Sequence, residues 1–134
     1  AMVLCKEAGA KRALPLNVSV PSHCALMGPA AEQLQAELDT VQFNSPLIPV
    51  VQNVNAQICE DPNLIKENLI KQLYAPVLWV DSIKCMRENG VEKILECGPG
   101  KVLSGLIRRI EPAISCFTSE APEGLASALA ELPS

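Results

Sequence analysis

The chain is poor in aromatic residues, which make up only 3% of its 134 residues. Apolar residues nevertheless make up 49%, which is more than a disordered chain contains. A hydrophobic core would therefore be built mainly from Leu, Ile, Val and Ala. The length is sufficient for one compact domain with such a core.

Basic clusters, long apolar runs and a signal sequence are also missing. Lys and Arg are adjacent only at Lys11-Arg12 and Arg108-Arg109, and the net charge is -4, so a nucleic-acid partner is not expected. No apolar run reaches the roughly 18 residues of a membrane span. The N-terminal A-M-V-L-C-K-E lacks the basic and apolar regions of a signal peptide. We expect a cytoplasmic protein without a membrane partner.

Cysteine is plentiful, with six residues, but histidine occurs once. No two cysteines form a C-x-x-C pair, and with a single histidine a zinc site is not expected. A chain with this much aliphatic core does not need disulfides to fold. We therefore expect reduced thiols, in agreement with a cytoplasmic setting.

Strand-like and helix-like patterns alternate along the chain. In residues 12–20, Leu or Val occupies every even position from 14 onwards, which predicts a half-buried strand, and Pro15 favours an edge position. The predicted helices cover 1–8, 29–41, 62–74, 77–89, 101–110 and 123–132, and the other predicted strands cover 48–54, 91–97 and 114–117. This alternation predicts an α/β fold, with a parallel sheet covered by helices on both faces.

A glycine-rich motif, G-P-G-K at 98–101, lies between a predicted strand and a predicted helix. It departs from the phosphate-binding loop because Leu95 stands where the first glycine belongs, and Val102 where Ser or Thr belongs. Ligands of open α/β sheets bind at the carboxyl ends of the strands. The motif is therefore either a tight turn or part of the lining of a site, and nucleotide binding is disfavoured.

His23, the single histidine, follows Pro21 and Ser22 at the end of a predicted strand. A lone histidine is usually structural, but this position also suits a catalytic base. Adjacent side chains in extended chain point to opposite sides, so Cys24 is interpreted as a small apolar residue rather than as a partner of His23. No G-x-S-x-G nucleophile motif is present. The residues alone leave both roles of His23 open.

Several separate segments, in one order, carry a resemblance to a known family. They are K-R-A-L-P-L-N-V-S-V-P-S-H-C-A-L-M, F-N-S-P-L-I-P-V-V-Q-N-V, Q-L-Y-A-P-V-L-W, G-V-E-K-I-L-E-C-G-P-G-K-V-L-S-G-L and the terminal helix. Together they resemble bacterial malonyl-CoA:acyl carrier protein transacylases along all 134 residues.

The resemblance implies an α/β-hydrolase-like acyltransferase core. Residues 21–134 would form the C-terminal part of that core, and residues 1–20 the end of a small ferredoxin-like subdomain. The family's nucleophilic serine, in a G-H-S-L-G-E motif, and the arginine that pairs with the malonyl carboxylate belong to its N-terminal half. Neither is in this sequence. We therefore expect a C-terminal portion that is inactive without the missing N-terminal half.

Two site residues follow from the resemblance. His23 matches the family's catalytic histidine, which acts as a general base. Gln72 matches the residue whose backbone carbonyl orients that histidine. G-P-G-K-V-L resembles the family's loop that lines the active-site region, but the resemblance assigns no catalytic role to residues 98–101.

The implied reaction moves the malonyl group from malonyl-CoA to the phosphopantetheine thiol of acyl carrier protein, through a serine acyl-enzyme, in fatty acid biosynthesis. Malonyl-CoA is a substrate, and no metal or other cofactor is expected. An alternative stays open: a non-catalytic, truncated paralogue that binds carrier protein or a partner half.

Overall fold

The computed structural model describes residues 1–15 and 17–131. Its α-helices and β-strands are α1 (Met2–Glu7), α2 (Gly28–Leu38), α3 (Pro62–Lys71), α4 (Trp79–Glu88), β1 (Lys93–Glu96), α5 (Val102–Ile110), β2 (Ser115–Thr118) and α6 (Pro122–Glu131). A short 3-10 helix, Ala25–Met27, leads into α2. Within these residues, no helix is both long and apolar enough to cross a membrane.

The strands β1 and β2 pair in parallel, with Lys93 opposite Ser115 and Glu96 opposite Thr118. Parallel strands cannot be joined by a tight hairpin, and here α5 makes the connection between them. Both α5 and α6 pack against β2. The predicted α/β fold with parallel pairing is confirmed. The strand predicted at 91–97 is observed three residues shorter, at 93–96, and the strand predicted at 114–117 is shifted by one residue, to 115–118.

The core lies between α4, α5 and the sheet. Ile83 is 0% exposed, and Ile107 and Ile114 are 2% exposed. Partly buried side chains surround them: Trp79, Met86, Ile94, Ile110 and Cys116. A Cβ on Gly124 would lie 2.5 Å from the carbonyl oxygen of Thr118, so this glycine allows α6 to approach β2 closely.

Helix α3 starts where the sequence predicts. The Asp61 carboxylate accepts a hydrogen bond from the Asn63 N–H at 2.8 Å, which caps the helix. Pro62 occupies the first turn, where its missing N–H costs no hydrogen bond. At the other end, Gln72 is the C-cap residue. The last carbonyl groups of α3 are consequently available to other parts of the chain.

The predicted strand at 12–20 is wrong for the residues that the structure describes. Residues 12–15 and 17–20 form no strand, and Leu16 lies outside the described residues. Leu14, Val18 and Val20 are all exposed. A strand needs a neighbour that accepts its backbone hydrogen bonds, and no described segment pairs with this one. The alternation of apolar and polar residues does not indicate whether a neighbouring strand is present.

The predicted strand at 48–54 is also wrong. It is reduced to a single antiparallel bridge between Val51 and Ile58. The backbone reverses between them, and the Gln52 N–H donates to the Gln57 carbonyl at 2.9 Å. A turn after Gln52 therefore replaces the extended chain that the apolar pattern predicts.

Candidate active site

The backbone and the ring of His23 are both bound to the C-terminal end of α3. Its Nδ1 lies 2.7 Å from the Gln72 carbonyl oxygen, and its backbone N–H donates to the Leu73 carbonyl at 3.0 Å. The φ angle of His23 is +60°, a left-handed conformation that is uncommon for residues other than glycine. Two successive carbonyl groups thus hold the residue in a strained conformation.

These contacts decide which ring nitrogen of His23 carries the proton. A carbonyl oxygen can only accept a hydrogen bond, so Nδ1 must be the donor. In the neutral ring the other nitrogen, Nε2, then has a free lone pair. The residue is exposed, so Nε2 can be reached from outside the chain. The arrangement can accept a proton from a hydroxyl or thiol that approaches Nε2.

The structure brings together the two residues that the family resemblance selects, His23 and Gln72. No carboxylate is needed to orient the ring, since the carbonyl fixes it. The second anchor, the Leu73 carbonyl, was missed by the sequence analysis. A backbone acceptor has no side-chain signature, so no pattern could have indicated it.

Cys24 does not pair with His23. Its thiol donates to the Pro21 carbonyl at 3.1 Å, across a turn of the same segment. Among the described residues, no group of three or more His, Cys, Asp or Glu side chains is placed to hold a metal ion. All six cysteines are free thiols.

The G-P-G-K motif is a turn that depends on glycine, and the helix that follows it is already capped. Gly98 and Gly100 have φ angles of +132° and +87°, which favour glycine. The Glu96 carboxylate accepts the backbone N–H groups of Leu103 and Ser104 at 3.0 and 2.8 Å, and the Ser104 hydroxyl at 2.6 Å. An anion approaching the start of α5 would meet this carboxylate.

The same contacts change the acidity of Glu96. Hydrogen bonds from the Ser104 hydroxyl and from the Ser104 and Leu103 backbone lower the pKa of its carboxyl group, although burial acts in the opposite direction. Glu96 is only 9% exposed. The motif is thus better explained as a capped turn than as a phosphate site, and no described hydrogen bond joins residues 98–101 to His23 or Gln72.

Comparison with known proteins identifies relatives along nearly the whole chain, although no family model matches it. Malonyl CoA-acyl carrier protein transacylase of Escherichia coli K12 is 50% identical over 125 residues, which cover 93% of this chain and 40% of the relative. The Bacillus subtilis protein of the same name is 43% identical over 129 residues, or 96% of this chain and 41% of the relative.

Solved structures agree. A malonyl-CoA:acyl carrier protein transacylase from Xanthomonas oryzae superposes with a TM-score of 0.93 at 41% identity, covering 99% of this chain and 42% of that one. A malonyl-transacylase solved in complex with a type II polyketide synthase acyl carrier protein superposes with a TM-score of 0.89 at 47% identity. The match covers 96% of this chain and 41% of that one. The chain spans about two fifths of the length of these relatives. From its sequence and its fold together, the chain belongs to the malonyl-CoA:acyl carrier protein transacylase family.

Proposed function

We propose that this chain supplies the general base of a malonyl-CoA:acyl carrier protein transacylase, and that His23 is that base. The observation that carries the proposal is the 2.7 Å contact between His23 Nδ1 and the Gln72 carbonyl, which leaves Nε2 free. Gln72 acts through its backbone as the group that orients the ring. The setting would be cytoplasmic fatty acid biosynthesis.

In the first half-reaction, a serine hydroxyl attacks the thioester carbonyl of malonyl-CoA while His23 Nε2 takes the hydroxyl proton. The C–S bond breaks, the malonyl group remains on the serine oxygen, and the coenzyme A sulfur leaves with the proton from His23. The 134 residues contain no nucleophile motif for this serine. The proposal assigns it, with the arginine that pairs with the malonyl carboxylate, to residues outside this sequence.

In the second half-reaction, the phosphopantetheine thiol of acyl carrier protein enters the same site. His23 Nε2 takes the thiol proton, the sulfur attacks the acyl-serine ester, and the serine oxygen leaves with that proton. The malonyl group ends as a thioester on the carrier protein. Neither step, as proposed, uses a metal or a redox cofactor.

The end of α3 also favours this chemistry electrostatically. The C-terminus of a helix carries a partial negative charge on its unpaired carbonyl groups. The His23 ring lies against one of these carbonyls, that of Gln72. The positive charge that develops on the imidazole during proton transfer is therefore stabilised where it forms.

A chimeric enzyme tests the proposal. The chain replaces the matched segment of the Escherichia coli relative, and transfer from malonyl-CoA to acyl carrier protein is measured. We expect an active chimera, and we expect His23→Ala to lower kcat by about 100- to 10,000-fold, the usual contribution of a general base. Circular dichroism shows whether each variant is folded.

Cys24→Ser is the matched control. Cys24 is the residue next to His23, and serine retains a donor for the Pro21 carbonyl. We expect its kcat to stay within about twofold of the parent. A folded His23→Ala chimera with near-parent activity would refute the role of His23. A folded but inactive parent chimera would favour the non-catalytic alternative, in which the segment only binds carrier protein or another part of the enzyme.

A further inference from the structure

The connection between α3 and α4, residues 72–78, is held at both ends by Asn53. The Asn53 side-chain amide donates to the Gln72 side-chain oxygen at 3.4 Å, a long hydrogen bond. The Asn53 carbonyl accepts the Leu78 backbone N–H at 2.9 Å. One residue thus ties the start of the connection, whose carbonyls bind His23, to its end.

Asn53 is itself presented by a tight loop, residues 52–57. The Gln52 N–H donates to the Gln57 carbonyl at 2.9 Å, and the Ala56 N–H donates to the Gln52 carbonyl at 2.8 Å. Gln52 and Ala56 are 7% and 8% exposed. The loop is therefore closed by its own backbone and anchored by buried residues, so it can act as a rigid support for Asn53.

Backbone strain marks both sides of this arrangement. Among the described residues, His23 and Ala56 are the non-glycine residues with positive φ, at +60° and +54°. Such conformations persist only where the surroundings hold them in place, and they concentrate at functional sites. His23 binds the connection from one side, and the loop that contains Ala56 binds it from another.

We propose that Asn53 is a positioning residue that acts on His23 through Gln72. By fixing the Gln72 side chain, Asn53 fixes the last turn of α3 and hence the carbonyl that orients the imidazole. The functional part of the inference rests on the proposed role of His23 as the base. The structural part, that Asn53 controls the ring tautomer, does not depend on catalysis.

The chimera provides the kinetic test. We expect Asn53→Ala to lower kcat by about 10- to 100-fold, since misplacing a catalytic group by a fraction of an ångström to 1 Å has effects of this order. The KM for malonyl-CoA should change little, because a residue that only positions the base acts on proton transfer and not on substrate binding. Asn53→Asp should retain most of the activity, since the Gln72 amide can rotate to donate to the new carboxylate.

A double-mutant cycle tests whether the effect passes through Gln72. Gln72→Ala removes the side-chain oxygen but keeps the backbone carbonyl that His23 binds. We expect the double variant to lose no more activity than either single variant, as for two partners of one interaction. Asn63 is an exposed asparagine on α3, the helix that Gln72 ends. Asn63→Ala is the matched control and should leave kcat unchanged. Additive losses would overturn the coupling.

The decisive measurement is the ring tautomer. His23 is the only histidine in the sequence, so the imidazole ¹⁵N signals of the tag-free protein belong to it. We expect the Nδ1–H tautomer to dominate in the parent and the Nε2–H tautomer to gain population in Asn53→Ala. If Asn53→Ala does not fold, Gln72→Ala removes the same bond from the other side and must give the same change.

The two proposals fail differently. An unchanged tautomer in the folded Asn53→Ala and Gln72→Ala variants would overturn the positioning role, whatever the activity of the chimera. A changed tautomer with an active His23→Ala chimera would leave the positioning role standing and remove the catalytic one.

Discussion

Two of the turns that place residues at positive φ differ in how their polar groups are hydrogen-bonded. At the turn 97–101, the Glu96 carboxylate accepts N–H groups of the first turn of α5 that have no partner within the helix, so these polar groups are satisfied internally. In the turn at 21–24, one ring nitrogen of His23 is bound and the other is left free. The first turn leaves none of these polar groups free, whereas the second leaves the His23 Nε2 free to accept a proton.

This difference separates two motifs whose roles the residues alone left open. G-P-G-K could be a tight turn or part of the lining of a site, and a lone histidine is usually structural. The contacts favour a structural role for the first motif, where the Glu96 carboxylate occupies the helix terminus, and a functional role for His23, which two carbonyls orient. A hydrogen-bond acceptor that is left free on an otherwise fixed side chain indicates function better than a glycine-rich motif does.

Glu96→Gln should destabilise the protein most among the changes in the first turn. Glutamine keeps the shape and one acceptor oxygen, but the NH2 that replaces the other oxygen cannot accept, so the buried Ser104 N–H loses its partner when the NH2 lies at that position. We expect a lower urea midpoint at neutral pH. The variant should still bind carrier protein and substrate as the parent chimera does, because this turn has no part in the His23 contacts.

The same variant should change the pH dependence of stability. The pKa of Glu96 is lowered in the folded protein from its ordinary value of 4.5. Its contribution is therefore present above the unfolded pKa and is lost as the pH falls through the folded pKa. Stability measured against pH should fall less steeply below about 4.5 in Glu96→Gln than in the parent. Parallel curves would contradict this role of Glu96.

Gly98→Ala should cost about 1–3 kcal/mol, because φ is +132° and L side chains rarely adopt it. A Cβ at this position would meet no atom within 4 Å, so the cost is one of backbone strain alone. Gly28→Ala is the matched control: its Cβ also meets open space, but Gly28 lies in helical conformation. Urea unfolding should show a loss for the first variant and none for the second.

Ala56→Gly should have the smallest effect, within about 1 kcal/mol of the parent, since relief of the left-handed strain offsets the added entropy of the unfolded chain and the loss of a buried methyl group. Ala36→Gly, on an exposed helical position of α2, should instead lose about 1 kcal/mol. If Ala56→Gly is equally destabilising, the loop at 52–57 is not strained and its role as a support for Asn53 is weakened.

Parts of the fold could be predicted from sequence where both partners of an interaction lie in the chain. The strands β1 and β2 pair with each other, and Asp61-Pro62 starts α3 as expected. The segment 12–20 has the pattern of a strand but no described partner, so the pattern failed there. The division of the chain at residue 20 stays a prediction.

The candidate site was predictable only in part. The resemblance selected His23 and Gln72, and the structure places them in contact. The residues alone could not do so, because the acceptor is a backbone carbonyl 49 positions away. Asn53 and Leu73 were not selected, since nothing in local sequence indicates which loop will meet the end of a distant helix.

The most direct test of His23 as the base is the intact mass of the chimera after brief exposure to malonyl-CoA without acyl carrier protein. We predict that the parent gains one malonyl group and that His23→Ala gains none in the same interval. Equal acylation of the two proteins would contradict the assignment of His23 as the group that activates the serine.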